Sequence, residues 1–360
     1  MRYDVAIVGG GPAGSACAIA CAEADLRTLL LERAVFPREK VCGDCLNPSC
    51  WPILERLGVA DRILAQPHSR FTEIVFASAR GRPISCALAD SRRGEIAIPR
   101  SALDSILLSR ARKAGADVRE GITVTAIAPG WEITTGAEIF QARALVAADG
   151  RNSTVARLLG LLPAAKKDRV GAQTHLTLPA GFGDKVRMHF LPHGYCGAAS
   201  VGGGLMNLCL VARPTRLPDL KIWAAGEFQI PPDQTWRIIT PLQRDAVHPA
   251  RENLLLVGDA ARVVEPFTGE GIYYALASGA LAASHIAKGN LAGYASAHAR
   301  LYRGRLWVNR VAKAAVLYPS LSSAAFGIAR LFPGALRFLT SRVVGSAAIE
   351  KGTRKPARSQ

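Results

Sequence analysis

Hydrophobic positions along the chain gather into short apolar runs that end on glycine, joined by Ala-rich stretches with helical spacing. The first unit, "YDVAIVGGGPAGSACAIACAEADLRTLLLE", reads as a strand from Tyr3 to Val8, a glycine turn, a helix, and a second strand ending at Glu32. A second buried-looking strand, Ala144 to Ala148, ends at Asp149-Gly150 and leads through a polar turn into a helix. A third, Leu254 to Val257, ends in Gly258-Asp259, and a Pro/Gly loop carries it into the long helix "GIYYALASGALAASHIA". Another helical pattern starts at Arg100 in "IPRSALDSILLSRARKAGADV". Strands that alternate with helices predict a parallel sheet covered on its faces.

Between these units the texture changes. "RFTEIVFASARGRPISCALA" alternates around an Arg-Gly turn and predicts a hairpin; "VGAQTHLTL", "KVRMHFLPHGYCGAASVGG" and "LMNLCLVARP" continue the strand-like alternation. An antiparallel sheet is the expectation. With no repeat or low-complexity linker, the two kinds of segment interleave. Residues 1–70, 95–160 and 248–290 build the parallel unit, 71–94 and 161–247 the antiparallel one, and 291–360 a basic helical C-terminal region.

Apolar residues make up 49% and charged ones 20% of the 360, which excludes disordered, collagenous and fibrous classes. The strand pattern begins within the first residues and leaves no room for a targeting segment. The longest nearly uncharged run is shorter than the ~20 residues that cross a bilayer. A cytoplasmic protein is therefore expected, with most of its eight cysteines acting as small buried residues, Cys17 and Cys21 among them. The net charge of +17 is skewed: residues 301–360 hold eleven Lys or Arg and one acid, Glu350. Such a skew fits nucleic acid, anionic lipid, or an anionic substrate or carrier, or else simply an Arg-rich composition, and without any zinc-finger, RRM or KH signature nucleic acid is not expected. "FGIARLFPGALRFLTSRVVG" sets Phe326, Phe332 and Phe338 among arginines. It suits an anionic membrane surface, or equally a helix pair packed on the parallel unit.

The glycine turn carries the first chemistry. In Gly9-x-Gly11-x-x-Gly14, Gly9 permits the tight turn, Gly11 lets a pyrophosphate approach the backbone, and Gly14 lets helix and strand pack closely. Glu32, 18 positions beyond Gly14, stands where a carboxylate accepts from a ribose hydroxyl. Asp259 at a strand end can accept from a polyol hydroxyl, and the helix after it aims its N-terminus at whatever lies above the loop. Cys42 and Cys45 form a C-x-x-C whose readings are a metal pair, a redox disulfide or an incidental spacing. A second C-x-x-C is missing and His68 fits no finger spacing, so no metal site is predicted. His189, His193 and Tyr195 read as one strand segment, either lining a cavity as proton donors or forming a polar strand face.

Taken together, GxGxxG…E, "ADG" and "GDAA…P.TGEGI..A" resemble the flavoprotein monooxygenase superfamily with the glutathione-reductase-type FAD fold. "FPREKVCGDCLNP" and "EPFTGEGIYYALASG" are most similar to its geranylgeranyl reductase-like branch, over roughly residues 1–290. The resemblance implies an α/β protein: a Rossmann-like parallel-sheet domain for noncovalent FAD, interleaved with an antiparallel substrate domain. It places FAD contacts at Gly9, Gly11, Pro12, Ala13, Gly14, Glu32, Arg33, Cys42, Gly43, Arg100, Asp149, Gly258, Asp259, Pro266, Gly269, Glu270, Gly271 and Ile272. Catalytic roles are expected for Cys42, His193 and Tyr195, with NAD(P)H or another electron donor. The branch's Tyr-x-Trp-x-Phe-Pro element is only partly present, since Tyr195 is followed by Cys196 and Gly197. The expected activity is reduction of a carbon–carbon double bond in a lipid-like isoprenoid or polyketide substrate. The alternative is a monooxygenase acting on an aromatic or polyketide-like molecule; a halogenase lacks its W-x-W-x-I-P element here.

Overall fold

The computed structural model describes residues 2–78, 83–88, 93–166 and 169–304. The chain opens with strand β1 (Arg2–Val8), helix α1 (Pro12–Ala22) and strand β2 (Thr28–Glu32). Short elements follow: β3 (Cys45–Leu46), α2 (Trp51–Arg56), α3 (Ala60–Leu64), β4 (Ser69–Phe71), β5 (Glu73–Ser78), β6 (Ile84–Ala87) and β7 (Glu95–Ala97). Helix α4 (Arg100–Lys113) leads to β8 (Asp117–Glu120), β9 (Val124–Ala128), β10 (Glu132–Thr135), β11 (Ile139–Ala147) and α5 (Thr154–Leu158). The next stretch holds β12 (Ala165–Lys166), β13 (Val170–Thr177), β14 (Lys185–Leu191), β15 (Gly194–Gly202) and β16 (Leu205–Ala212). After helix α6 (Leu217–Phe228) come β17 (Arg237–Ile239), β18 (Gln243–Arg244), β19 (Ala250–Arg251), β20 (Leu254–Leu256), α7 (Gly271–Ala287) and α8 (Tyr294–Leu301).

An eight-stranded sheet runs β19-β20-β11-β1-β2-β8, with the β9–β10 hairpin attached at β11. β1 lies parallel to β2 and β11, and β11 parallel to β20. Both faces are covered, which is why these strands read as continuous apolar runs rather than alternating ones. On one face Val5, Ile7 and Val146 pack with Cys17 of α1, Leu107 of α4 and Leu276 of α7. On the other, Ala6, Val8, Leu29 and Leu145 pack with Ile133 of the hairpin and Val155 of α5. Pro12 opens α1 at a position whose N–H would go unpaired, and its ring presets the helical φ.

The second sheet has seven strands in the order β17-β13-β16-β15-β14-β5-β6. Its pairs are antiparallel except β14 with β5, which run parallel. Directly paired residues share a face, so the register sets up three rows across the strands. Ile74, Val186, Ala199, Asn207 and His175 form one; Phe76, Met188, Gly197, Cys209 and Gln173 the next; Phe190, Tyr195, Val211, Gly171 and Ile239 the third. The opposite face buries Ala198, Leu208 and Leu210 under Leu220 and Ala224 of α6. A small sheet, β3-β7-β4, sits at the edge.

β5 and β6 pair as the expected hairpin, while its Arg-Gly turn lies outside the described residues, as does the basic tail from 305 to 360. Among the described residues no helix is long and apolar enough to cross a membrane. One expectation is corrected. Pro192 and His193 form the turn between β14 and β15, so His189, His193 and Tyr195 do not share a strand.

Candidate active site

A cavity of about 730 Å³ lies between the strand ends of the first sheet and the rows of the second. The glycine turn forms one end. Gly9 has φ +109°, and a Cβ there would stand 2.5 Å from the Ala148 carbonyl oxygen. A Cβ on Gly14 would stand 1.8 Å from the Gly9 carbonyl oxygen, so both positions exclude any side chain. At Gly11 a Cβ would meet only the tip of Arg38, at 3.6 Å, leaving the backbone open to a ligand. Glu32, buried at the end of β2, accepts hydrogen bonds from the Gly10 N–H at 2.7 Å and the Ala34 N–H at 2.9 Å. Those two amides fix the carboxylate where Arg33 and Ala34 also line the wall.

Cations gather along the same cleft. Arg38, Lys40, Arg100 and Arg151 all line it. Arg100 donates to both oxygens of Asp104, at 2.8 and 2.7 Å, one turn along α4, and Arg38 reaches Asp104 at 3.2 Å. Arg151 donates to Asp259 at 3.0 Å, while its Nε and Nη1 are buried without a hydrogen-bond partner, as is Oδ1 of Asp149. Burial, and then the charges of Arg100 and Arg38, push the Lys40 ammonium down to about 8, against the pull of Asp259.

The Cys42-Gly43-Asp44 loop forms the wall facing the second sheet. Asp44 takes the left-handed region at φ 58° and is fully buried. Its Oδ2 accepts from His175 Nε2 at 2.8 Å and Asn207 Nδ2 at 2.9 Å, with Gln173 Nε2 at 3.4 Å. The Cys42 carbonyl accepts from Asn207 at 2.8 Å, Gln173 at 2.9 Å and the Cys209 thiol at 3.2 Å. Four side chains of β13 and β16 therefore hold the loop in register. Burial raises the Asp44 carboxyl against the hydrogen bond from His175. Burial also raises the Cys42 thiol, though Arg100 beside it pulls the other way. The Cys45 thiol donates to the Gly43 carbonyl at 3.2 Å, and all eight cysteines are free. Of this network the sequence signalled the Cys42-Gly43-Asp44 loop but none of the side chains that hold it. A polar residue at alternate positions of otherwise apolar strands, as in "LMNLCLVA" and "VGAQTHLT", was the available clue.

The far end is apolar. Ile74, Phe76, Ile84, Val186, Met188 and Phe190 line it, with Leu242 and Phe267 on the facing side. Phe267 meets Phe190 and Tyr195 with ring centroids 5.5 Å away in each case. Tyr195 faces this chamber, and burial raises its phenol. His193 does not reach it: the residue is exposed in the hairpin turn at φ 73°, which removes it as a catalytic candidate. His189 points to the opposite face against Trp223 and Phe228, ring centroids 5.3 and 6.1 Å away, where burial lowers its imidazole. Pro12, Ala13, Gly43, Asp149, Gly258, Pro266, Gly269, Gly271 and Ile272 line the cavity. Gly14 and Glu270 do not: Gly14 serves the packing of α1 on the turn, and Glu270 is buried at the head of α7, off the cavity wall.

These residues fit FAD. An open backbone at Gly11 meets the start of α1, Arg151 and Asp149 line the groove and each keeps buried polar atoms without a partner, and Glu32 is held ready to accept a hydroxyl. The site and fold define an FAD-dependent oxidoreductase. The family model described as FAD binding domain matches residues 2–179. Geranylgeranyl diphosphate reductase from Rhodobacter capsulatus is 30% identical over 312 residues, covering 79% of this chain and 74% of that protein. Conditioned medium factor receptor 1 from Dictyostelium discoideum is 28% identical over 317 residues, 78% of this chain, and the match spans 62% of its length. The solved structure of the flavin-dependent brominase Bmp2 superposes with a TM-score of 0.76 at 19% identity, covering 96% of this chain and 95% of that one. That last likeness concerns the fold alone. The chain belongs to the geranylgeranyl reductase-like branch of the FAD-dependent flavoprotein monooxygenase superfamily.

Proposed function

We propose that the chain reduces a carbon–carbon double bond of a large apolar substrate of isoprenoid type. The observation that carries this reading is the division of the cavity. Its glycine and cation end suits a dinucleotide, and its opposite end is walled by Ile74, Phe76, Val186, Met188 and Phe190. Bound FAD supplies hydride transfer at its flavin N5. The chain's own residues then have separate tasks. Glu32, Arg33 and Asp259 hold the cofactor by its hydroxyls and phosphates. The Cys42–Asp44 loop, anchored by His175 and Asn207, sets the wall between cofactor and chamber. Phe190, Tyr195 and Phe267 exclude water from the apolar end, which keeps a reactive centre dry. The relative from Rhodobacter capsulatus supports an isoprenoid class through its name.

The test is an anaerobic one. FAD-loaded protein reduced with dithionite is offered geranylgeranyl diphosphate and, separately, a menaquinone, and products are read by mass. A gain of two hydrogens per bond with concurrent flavin reoxidation is the expected result. Product that forms only when oxygen is admitted, and carries an added oxygen atom, replaces the reductase with a monooxygenase.

A further inference from the structure

Glu95 is a buried acid on the cavity wall that none of the tasks above uses. Glu95 begins β7, the middle strand of the small sheet, where it pairs with Phe71 of β4. Ala97, two residues on, shares its face and pairs with Cys45 of β3. That face packs Phe71, Ala97 and Cys45 against Ala199 and Val186, which belong to the first row of the cavity floor. The Glu95 side chain thus stands where the Cys42–Asp44 loop meets the apolar chamber. It lines the cavity although Glu95 is only 8% exposed, and its Oε2 is buried with no hydrogen-bond partner.

Among the described residues, the groups packed around it do not neutralise it. From β3 comes the Cys45 thiol, and from the turn before α2 the Cys50 thiol. Trp51 spends its indole N–H on the Gly94 carbonyl, at 2.8 Å. Arg93, in the preceding loop, is committed to Glu55 at 2.9 Å and Asp61 at 3.6 Å and lies over the Trp51 ring. Arg70 of β4 flanks Gly94. Burial alone accounts for the shift of the Glu95 carboxyl, up to about 7. An acid of that strength exchanges its proton at neutral pH, whereas the Tyr195 phenol and the Cys42 thiol are both raised from values already above 8. A buried carboxyl with an unpartnered oxygen costs stability, so its place on a ligand-sized cavity points to chemistry.

We propose that Glu95 is the proton donor of this cavity, supplying the proton that completes reduction of the substrate's double bond. The inference rests on the reductase reading above. The π bond opens; one carbon takes the hydride, and with it the two electrons, that the reduced cofactor gives up. The other carbon takes the proton from the Glu95 carboxyl, and the carboxylate left behind regains a proton from solvent.

The test joins a titration to a rate. Infrared difference spectra of the FAD-loaded protein between pH 5 and 9 should show a protonated-carboxyl band that disappears with a midpoint near neutrality and is missing in Glu95→Gln. In the anaerobic assay with geranylgeranyl diphosphate and menaquinone, wild-type reoxidation should fall tenfold per pH unit above that midpoint. Glu95→Gln should be slower by roughly 100-fold or more and lose this limb, as expected when a general acid is removed. Glu95→Asp should retain the limb at a reduced rate, which separates proton donation from misfolding. If no carboxyl band titrates, or if Glu95→Gln keeps the wild-type pH limb, Glu95 is not the donor. If wild type reduces neither probe, the isoprenoid reading fails by itself. The infrared titration then still decides whether Glu95 holds an exchangeable proton at neutral pH.

Discussion

Asp44 concentrates several demands in one residue. It must adopt φ 58°, and it must accept hydrogen bonds from His175, Asn207 and Gln173 inside a fully buried site. Aspartate and asparagine visit the left-handed region with less penalty than other side chains. In Asp44→Ala the donors on His175 and Asn207 lose their acceptor, which costs about 1–3 kcal/mol, and the backbone conformation adds about 1 kcal/mol more. Asp44→Asn retains a carbonyl oxygen and the backbone tolerance, so its loss should be less than half as large. Urea denaturation of the FAD-loaded protein measures both. Equal losses in the two variants would show that the loop does not depend on this acceptor. The sequence made the Cys-Gly-Asp loop visible and hid its supports. His175 lies 131 residues downstream of Asp44, on a strand whose polar positions acquire meaning only when the second sheet is registered. Glu95 was hidden for the same reason: its isolation depends on what β3, β4 and β15 place around it.

Among the elements, α1 and α7 meet unusually closely. A Cβ on Gly279 would lie 2.1 Å from the Ala13 carbonyl oxygen, and the obstruction is backbone rather than a side chain that can turn away. Gly279→Ala must therefore push the start of α1 away, and with it the Gly9–Gly14 turn. Overpacking of this kind costs about 1–3 kcal/mol. We expect Gly279→Ala to lower the melting temperature of the apoprotein and, in addition, to weaken FAD, because the displaced helix start is part of the binding groove. Gly136→Ala is the control, since a Cβ there meets nothing within 4 Å. Identical melting curves and FAD titrations for the two variants would refute the packing argument. Helix α7 itself was legible as an apolar run, and so were the strands of the first sheet, because both signals are local periodicities. The β14–β15 hairpin was not. Alternation runs through "HFLPHGYC", and the Pro192-His193 turn with Gly194 behind it was absorbed into a single strand. A proline followed two residues later by glycine was the signal to break it.

Across the whole molecule, the interleaving of two sheets follows from short motifs, whereas the division of the cavity into a cationic groove and an apolar chamber comes from strand register. That division has an electrostatic consequence. The protein carries +17 net charge, and Arg38, Arg100 and Arg151 crowd Lys40 in the groove. Without a ligand, burial and these neighbours hold the Lys40 ammonium at about 8, below its ordinary 10.5. FAD brings a doubly charged pyrophosphate into this groove, and a nearby anion favours the protonated amine. The sign follows from linkage. If the bound state holds the Lys40 proton more tightly than the free state, binding takes up protons, and affinity must rise as pH falls through about 8. At that pH about half the free molecules lack the proton, so binding should take up as much as about half a proton per FAD. Calorimetry in two buffers of different ionisation enthalpy, held at the same pH near 8, reads this uptake directly. Lys40→Met removes the titrating group and should abolish the buffer dependence while leaving a weaker, pH-independent site. If uptake is absent in the wild-type protein, or unchanged in Lys40→Met, Lys40 does not sense the cofactor's charge, and the cationic groove owes its pH behaviour to another group.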